Sequence, residues 1–401
     1  MKYRKIAAVI MAVVCAAGLS ACGSGADNGI SGSSSAAEET SKGKTDISQA
    51  VADVEAATGT PAFFAKDFGS VDVSAALSGK KVMLIAYDST NDWCVNYVQM
   101  AQPLYEAAGA DAEITYCDGT ADSWIQAIQS AVNQDYDAID LFGISDIGQV
   151  ASAIDDAKNA GVYVQDIHGT DISDDSSNAD VSIGCDYERA GVLMAEKVIE
   201  SVGSAEDVNC LVVADVGWGA DSSVREGITS TFDSYNCNYT MSDVSITDWT
   251  EGIGNAVRNA FVADPTYNAV ITYYDNMCIY AVSALEELGI NQDDVIVGSF
   301  NGNPNMLEYI ADGRMDFDLG ESTAWVACHG LDCMARYFAG QEVHNDSGFA
   351  MYFITTDNID DYLDPKTGKA SYSYDGVQDI YLNGYSQLWG IDLTNVLDGI
   401  E

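Results

Sequence analysis

The sequence has little positive charge. It contains 17 lysine and arginine residues against 62 aspartate and glutamate residues, which gives a formal net charge of −45. Such a chain repels phosphate backbones and anionic lipid head groups, so the composition argues against nucleic acid and against a charged membrane surface as partners. We interpret the acidic residues as a solubilising surface rather than as an acidic ligand site.

Histidine is equally scarce. The three histidines are His168, His329 and His344, so there is no His-Glu-x-x-His motif and no conventional histidine-based metal cluster. His329 and Cys333 would share one face of a helix, but Cys328 and Cys333 are better interpreted as small core residues. No serine or cysteine nucleophile has an evident histidine partner. The sequence therefore predicts a protein that is not an enzyme, with no catalytic residues, no cofactor and no metal.

Long apolar runs are missing except at the N-terminus. Residues 6–19 are apolar and uncharged, follow a basic stretch at residues 2–5, and lead into Leu19-Ser20-Ala21-Cys22. This run is short for a membrane span but suits a signal peptide. The four residues 19–22 resemble a bacterial lipobox. We therefore predict a lipoprotein signal peptide at residues 1–21 with lipid attachment at Cys22. The alternative is an uncleaved anchor. The prediction places the protein on the extracellular face of the cell membrane.

Eight further cysteines follow Cys22 in the chain. Disulfide bonds are permitted outside the cytosol, but eight cysteines allow too many pairings for the connectivity to be deduced. Cys210 and Cys237 lie near the starts of two neighbouring predicted strands. They are the one pair that we nominate.

The body of the chain follows a segment that cannot fold by itself. Residues 23–45 hold glycine, serine, alanine and charged residues with almost no large apolar side chain, which is typical of a flexible tether. A short helix is predicted at 47–57, and the globular part begins at Lys80. We therefore assign residues 22–78 to a tether and N-terminal extension.

Buried strands alternate with amphipathic helices from residue 80 onward. A first cycle has four predicted strands separated by helical patterns, at 82–87, 112–116, 137–142 and 162–167, and the first of them is a continuous apolar run. A second cycle repeats the pattern, with strands at 210–214, 239–245, 269–273 and 295–299. Continuous apolar runs are typical of parallel strands that are buried on both faces. The sequence predicts an α/β fold of two doubly wound parallel-sheet lobes, with the ligand beyond the carboxyl ends of the strands.

Over residues 80–360 the chain resembles type I periplasmic binding proteins of the ribose-binding family, which capture solutes for sugar ABC transporters. Each matching motif is weak alone, and the resemblance rests on their order and spacing. The motifs are Asn91-Asp92-Trp93-Cys94, 161–167, Gly184-Cys185-Asp186-Tyr187, Tyr274-Asp275-Asn276-Met277, 297–302, Gly313-Arg314-Met315 and 353–359.

The resemblance implies a domain organisation and a function. The N-terminal lobe would hold residues 79–186 and 322–348, and the C-terminal lobe would hold 187–321 and 349–401 with the tail. Three crossings, near 186, 321 and 351, would form a hinge that closes around the ligand. The implied function is the capture of a small polar solute, which we expect to be a carbohydrate. The protein would act as a monomer and deliver the solute to an ABC permease. The alternatives are the ligand-binding subunit of a sensor or chemoreceptor system, and capture of a cationic or other non-sugar solute.

The positions that match the family's binding site define a candidate site rich in aromatic residues. A sugar presents C–H faces that stack on aromatic rings and hydroxyl groups that need hydrogen-bonding partners. We hypothesise that Trp93 and Trp249 sandwich the ligand while Asn91, Asn301 and Glu321 supply directional hydrogen bonds. The complete set of predicted ligand-binding residues is Asn91, Trp93, His168, Trp218, Trp249, Tyr274, Asn301 and Glu321.

The site departs from the ribose pattern at three positions. His168-Gly169 stands where the family has an Asp-Arg pair, Ser222 stands in place of an arginine, and Tyr274 replaces an asparagine. Fewer cations and more aromatic rings argue against ribose itself. They leave another sugar, a sugar derivative or a neutral-to-cationic solute open, because an aromatic cage with Glu321 would suit a cation.

Overall fold

A computed structural model describes residues 44–144, 146–345 and 348–400. The predicted signal peptide, the predicted lipid-attachment residue Cys22 and the predicted tether up to residue 43 lie outside the described residues. Within the described part of the chain, no helix has both the length and the apolar character needed to cross a membrane.

The described chain contains eleven strands and twelve α-helices. The strands are β1 Lys81–Ala86, β2 Asp111–Tyr116, β3 Ala138–Phe142, β4 Tyr163–Asp171, β5 Val181–Cys185, β6 Asn209–Val216, β7 Asn238–Ser245, β8 Ala269–Thr272, β9 Ile296–Asn301, β10 Phe317–Gly320 and β11 Tyr352–Thr355. The helices are α1 Ser48–Thr58, α2 Val73–Leu77, α3 Asp92–Ala107, α4 Ala121–Asn133, α5 Ala151–Asn159, α6 Tyr187–Val202, α7 Asp221–Tyr235, α8 Trp249–Ala263, α9 Asp275–Leu288, α10 Pro304–Ala311, α11 Thr323–Ala339 and α12 Gln378–Trp389.

The strands form two separate sheets. The first has the order β2-β1-β3-β4-β5 and is entirely parallel. The second has the order β11-β10-β9-β8-β6-β7, and only its edge strand β11 runs antiparallel. The prediction of two doubly wound parallel-sheet lobes is confirmed. Strands β5 and β10 were not predicted, because their sequences, VSIGC and FDLG, are interrupted by a polar residue and a glycine.

The strand order fixes where each lobe can bind a ligand. In the first sheet the order reverses between β1 and β3, and in the second it reverses between β6 and β8. Loops on either side of such a reversal diverge, which opens a crevice at the carboxyl ends of those strands. Each lobe therefore presents one crevice.

The chain passes between the two sheets three times. It crosses from β5 to α6, from β10 to α11 and from α11 back to β11. Helix α11 packs on α3 of the first lobe, so the piece between the second and third crossings returns to that lobe. The assignment of residues 322–348 to the N-terminal lobe stays a prediction that these contacts support.

Both terminal extensions pack on the lobes. Helix α1 contacts α6 and β11, whereas α2 and α12 contact α11. The Trp389 indole Nε1 donates to Asp332 Oδ1 at 2.8 Å, and the rings of Tyr381 and Trp325 lie 5.5 Å apart. The tail helix, which the sequence analysis assigned to the C-terminal lobe, thus makes these contacts with the helix assigned to the N-terminal lobe.

Two glycines set the close packing of α6 against α7. A Cβ at Gly191 would lie 2.3 Å from the Val224 carbonyl oxygen, and one at Gly227 would lie 2.1 Å from the Glu188 carbonyl oxygen. Both distances are too short for any side chain, so only glycine lets the two backbones approach this closely. This contact fixes the first helix after the β5 to α6 crossing.

The nominated disulfide between Cys210 and Cys237 is not formed. In the parallel pair β6 and β7, Cys210 is in register with Tyr239. Cys237 precedes Tyr239 by two residues, so it is displaced from Cys210 by about 6–7 Å along the strand direction, given the usual rise per residue. Nearness of two strand starts was not enough, because register decides which side chains meet.

Candidate functional site

A cavity of about 60 Å³ lies between the carboxyl ends of the two sheets. Its walls come from both lobes and are mostly aromatic rings and side-chain amides. The lining residues are Tyr87, Asn91, Trp93, Cys94, Gly143, His168, Tyr187, Asp215, Trp218, Trp249, Tyr274, Asn276, Asn301 and Asn303. We call this space the aromatic cavity. Its position agrees with the crevices expected from the strand order.

The aromatic rings hold one another in place. Trp218 lies edge-on to Tyr187 and to Tyr274, with ring centroids 4.8 and 5.1 Å apart. Trp93 packs against Phe142 and edge-on to His168, at 4.4 and 4.5 Å. Edge-to-face pairs at these distances are favourable and restrict ring rotation. The cavity walls are therefore rigid faces and not freely turning side chains.

Local backbone structure explains how several of these residues reach the cavity. Asn91 is the N-cap of α3, and its Oδ1 accepts hydrogen bonds from the amide groups of Trp93 and Cys94 at 3.1 and 3.4 Å. Trp249 is the first residue of α8, and Tyr187 is the first residue of α6. Each helix starts just beyond a strand, so its first turn projects into the crevice.

Three polar atoms of the aromatic cavity are buried and have no hydrogen-bonding partner among the described residues. They are Trp93 Nε1, Tyr274 Oη and Asp215 Oδ2. A buried polar atom without a partner is costly, so such atoms mark places where a ligand or water completes the bonding. The indole offers a donor, the carboxyl offers an acceptor, and the phenol offers both.

Asp215 is the one acidic side chain in the cavity lining. It lies near the end of β6 and is 1% exposed, and its Oδ1 accepts a hydrogen bond from Trp249 Nε1 at 3.2 Å. Burial raises the pKa of Asp215 to about 7, whereas the Trp249 bond opposes the rise and the charge of Asp221 adds to it. The sequence analysis missed this residue.

His168 joins the three crossings. Its Nε2 lies 2.6 Å from Glu321 Oε2 at the second crossing, and its Nδ1 contacts the hydroxyl of Tyr187 at the first crossing. The Tyr187 hydroxyl also donates to the His168 carbonyl oxygen at 2.9 Å, and the His168 ring stacks on Phe349 near the third crossing. The backbone of His168 has φ +65°, which non-glycine residues rarely adopt and which is common at binding sites.

Glu321 lines a different space from the one predicted. It borders a second cavity of about 30 Å³, which shares Asn301 and Asn303 with the aromatic cavity. The Glu321 backbone amide donates to the Asn301 carbonyl oxygen at 3.1 Å. The further lining residues of this second cavity are Asn96, Gly302, Pro304, Leu307, Ser322, Thr323, Tyr352, Ile354, Ser371, Tyr372, Tyr374 and Asp375.

The C-terminal tail forms one wall of the second cavity. Ser322 donates a hydrogen bond to Asp375, and Tyr381 donates to Asp375 Oδ2 at 2.9 Å. Burial raises the pKa of Tyr372, and the charges of Asp92 and Asp275 raise it further. The tail residue Tyr372 lines this cavity together with Asn96 of α3 and Asn301 of β9, so the tail lies beside the cleft between the two sheets.

A buried pair of carboxyl groups supports the loop shared by the two cavities. The amide of Asn303 donates to Asp275 Oδ2 at 2.7 Å, and the amide of Gly302 donates to Asp318 Oδ1 at 3.2 Å. Burial raises the pKa of Asp275 to about 7. Burial and the neighbouring charge of Asp275 raise the pKa of Asp318. Asn301 precedes this loop with φ +142°, so the carboxyl pair holds a strained segment.

One group of buried side chains has the composition of a metal site. The ligand atoms of His168, Cys185 and Glu321 lie within 4.8 Å of one another. The 2.6 Å between His168 Nε2 and Glu321 Oε2 is the length of a charge-assisted hydrogen bond. Burial also raises the pKa of the Cys185 thiol, with the Glu321 charge as the next cause, which disfavours the thiolate that metals bind.

The structure brings all predicted ligand-binding residues except Glu321 to the aromatic cavity. Trp93 and Trp249 both line it, although their ring partners are Phe142 and His168 for the first and Tyr274 for the second. The roles of these residues in binding stay predictions. The sequence analysis missed seven other lining residues, namely Tyr87, Cys94, Gly143, Tyr187, Asp215, Asn276 and Asn303. An acid at the end of the buried strand β6 was the available signal for Asp215.

The chain matches known proteins in sequence and in fold. The family described as periplasmic binding protein domain matches residues 82–342. The ribose import binding protein RbsB of Salmonella typhimurium is 25% identical over 127 residues, which cover 32% of this chain and 42% of that protein. The match thus spans less than half of that relative's length.

Two solved structures have the same fold. One is an ABC transporter periplasmic solute-binding protein from Actinobacillus succinogenes with bound D-allose. It is 20% identical to this chain, and the superposition covers 71% of this chain and 100% of that protein with a TM-score of 0.62. The other is the XylFII-LytSN complex, 18% identical, which covers 70% of this chain and 98% of its own with a TM-score of 0.59.

The chain belongs to the family of periplasmic binding proteins, with the type I fold of the ribose-binding group. Its relatives are solute-binding proteins and not enzymes. Proteins of this family act in the periplasm or outside the cell, and the sugar-transport relatives agree with the class that the motifs indicated.

Proposed function

We propose that the protein is the lipid-anchored substrate-binding component of an ABC importer, and that it captures a sugar or sugar-like polar solute on the extracellular face of the membrane. The observation that carries the proposal is the convergence of aromatic rings and amide side chains from both lobes on one cavity. Rings match the C–H faces of a sugar, and amides match its hydroxyl groups. The relatives named for ribose import and for bound D-allose support the same class of ligand.

Hinge closure is the proposed capture mechanism. Trp93 and His168 belong to the first lobe, Trp218 and Trp249 belong to the second, and the ligand would contact both sets at once. Closure then gains binding energy that an open protein cannot, so the ligand shifts the population toward the closed form. The His168, Tyr187 and Glu321 contacts lie at the crossings, where the lobes would rotate. We propose that the protein works as a monomer.

Isothermal titration calorimetry with D-ribose, D-allose, D-glucose and D-galactose tests the saccharide proposal. At least one sugar should bind with a Kd below about 1 mM, which corresponds to about −4 kcal/mol. Trp93→Ala and Trp249→Ala should each weaken that binding by about 1–3 kcal/mol. The matched control is Trp389→Phe in the tail helix, which lies away from the cavity. Absence of binding by all neutral and amino sugars would contradict the proposal.

The anchor has its own test. Mass spectrometry of the mature protein should show a lipid-modified Cys22 at its N-terminus. Cys22→Ala should release the protein from the membrane fraction without changing its affinity for solutes. An intact residue 1 in the mature protein would contradict the signal-peptide prediction.

A sensor role is the second candidate. A structure with this fold is named as the XylFII-LytSN complex, so a protein of this fold occurs in a complex with a named partner. Loss of solute uptake when the gene is deleted would favour transport, and an unchanged uptake with altered gene expression would favour sensing.

A further inference from the structure

The charge of the aromatic cavity is one-sided. Among the described residues that line it, Asp215 is the only acid, and there is no lysine or arginine. The one side chain of the described lining with a titratable nitrogen is His168, and its two ring nitrogens contact Glu321 and Tyr187. Nothing in the lining therefore neutralises the carboxylate of Asp215.

Arg225 lies on α7, the helix that follows β6, and its guanidinium group is paired with other acids. Arg225 on α7 lies 3.2 Å from Asp221 and 2.9 Å from Asp243, and it is not among the cavity's lining residues. Asp215 keeps one hydrogen bond, from Trp249 Nε1, and its Oδ2 has no partner among the described residues. A buried carboxylate in this state is costly unless a ligand supplies a donor or a positive charge.

The rings around Asp215 favour a positive charge. The π faces of tryptophan and tyrosine carry negative potential and attract an ammonium group, most strongly where water is excluded. Trp218 and Tyr274 contact each other, and Trp249 donates directly to Asp215. One carboxylate inside a group of aromatic rings suits a protonated amine better than it suits a neutral hydroxyl group.

We propose that the ligand is an amino sugar whose ammonium group binds Asp215 inside the aromatic cavity. This inference rests on the proposed function, because it takes the saccharide class from there and adds the charged group. Trp93 Nε1 is a donor without a partner, so it would bind a hydroxyl oxygen of the same molecule. The acid that lines the aromatic cavity is Asp215, whereas the sequence pattern suggested Glu321 for this place.

The titration of Asp215 supports the same reading. Its pKa is raised to about 7, so the carboxyl is partly protonated near neutral pH until a cation binds. The groups that face it are Trp249 from α8, Asp221 at the start of α7, and Tyr274 before α9, whose pKa is itself raised well above its usual range. Binding of an ammonium should therefore strengthen as the pH rises from about 5.5 to about 7, where the amine stays protonated.

Calorimetry with D-glucosamine and D-galactosamine, each against D-glucose and D-galactose, tests the inference on the full chain. At pH 7 at least one amino sugar should bind at least tenfold tighter than its neutral counterpart, and its affinity should fall at pH 5.5. Asp215→Asn should reduce the ratio of amine to neutral affinity to about one. Asp248→Asn is the matched control, because it removes the same charge from an exposed position at the start of α8.

The outcomes separate the two proposals. Neutral sugars that bind as tightly as amino sugars would overturn the amine inference and leave the saccharide proposal standing. Absence of binding by these four sugars would overturn the amine inference, and absence of binding by D-ribose and D-allose as well would overturn the saccharide proposal. Circular dichroism shows whether Asp215→Asn folds. If it does not fold, the affinity of the wild-type protein for D-glucosamine and D-galactosamine is measured at pH 5.5 and pH 7. The inference is overturned if neither affinity rises toward pH 7.

Discussion

Raising the pH from 5 to 8 should destabilise this protein, because its binding loop rests on buried carboxyl groups. Asp275 and Asp318 are both fully buried beneath the Asn301–Asn303 loop. Their pKa values are raised in the folded protein, so the folded state holds protons that the unfolded state has released. Stability from such groups is fully present below the unfolded pKa, and it is lost as the pH rises through the folded pKa.

The magnitude follows from Asp275. Its folded pKa is about 7 against an ordinary value of 3.8. Each pH unit between those values costs about 1.4 kcal/mol per carboxyl, so moving from pH 5 to pH 7 removes about 2–3 kcal/mol from the free energy of unfolding. Little more is lost from Asp275 above pH 7, whereas Asp318 adds to the fall. This is a large share of a typical total of about 5–15 kcal/mol.

Urea unfolding followed by circular dichroism at pH 5 and pH 8 measures the effect. Asp318→Asn removes one of the titrating groups and offers an amide donor to Asp275, so the loss of stability between pH 5 and pH 8 should be smaller in this variant than in the wild-type protein. Asp360→Asn, at an exposed position, makes the same change in charge and should leave that difference within about 0.5 kcal/mol. A wild-type protein as stable at pH 8 as at pH 5 would refute the reasoning.

Three further results are expected. Tyr187→Phe removes the hydroxyl group that contacts the ring and the backbone carbonyl of His168. Urea unfolding should show that the free energy of unfolding falls by about 1–3 kcal/mol. An unchanged value would mean that the first crossing does not depend on this contact. Because Cys210 and Cys237 are not bonded, adding a reductant should leave the melting temperature unchanged within about 1 °C, and a clear drop would reveal a disulfide. Tyr372→Ala removes part of the tail wall of the second cavity, so calorimetry should detect a changed ratio of affinities between hexoses and pentoses, and an unchanged ratio would mean that the tail does not contact the ligand.

Patterns that are local in the chain predicted the fold. The predicted strands that became β1, β3, β6 and β8 are buried on both faces, and the predicted helices match α3 to α6, α8 and α9. Such periodicity depends on neighbours two to four residues apart, so it survives without knowledge of tertiary contacts. The short strands β5 and β10 were missed because each contains a polar residue and a glycine, which interrupt the apolar pattern.

The candidate site was predictable only in part. Asn91 and Trp249 follow strands directly, so strand ends alone place them at the cleft. Asp215 was missed, although its place near the end of the buried strand β6 was a signal, because the 62 acids were interpreted together as a solubilising surface. The role of Glu321 in binding stays a prediction, and its contact with His168, which is 153 residues away in sequence, could not be predicted from short-range patterns.

The sequence by itself determined the alternation of strands and helices, the two-lobed class and the aromatic character of the cleft, because each depends on residue type and short-range spacing. Only the tertiary structure decided which carboxyl group faces the aromatic cavity, that Cys210 and Cys237 stay apart, and that the tail closes the second cavity. Those features depend on strand register and on contacts between distant segments, where a shift of one or two residues changes every partner.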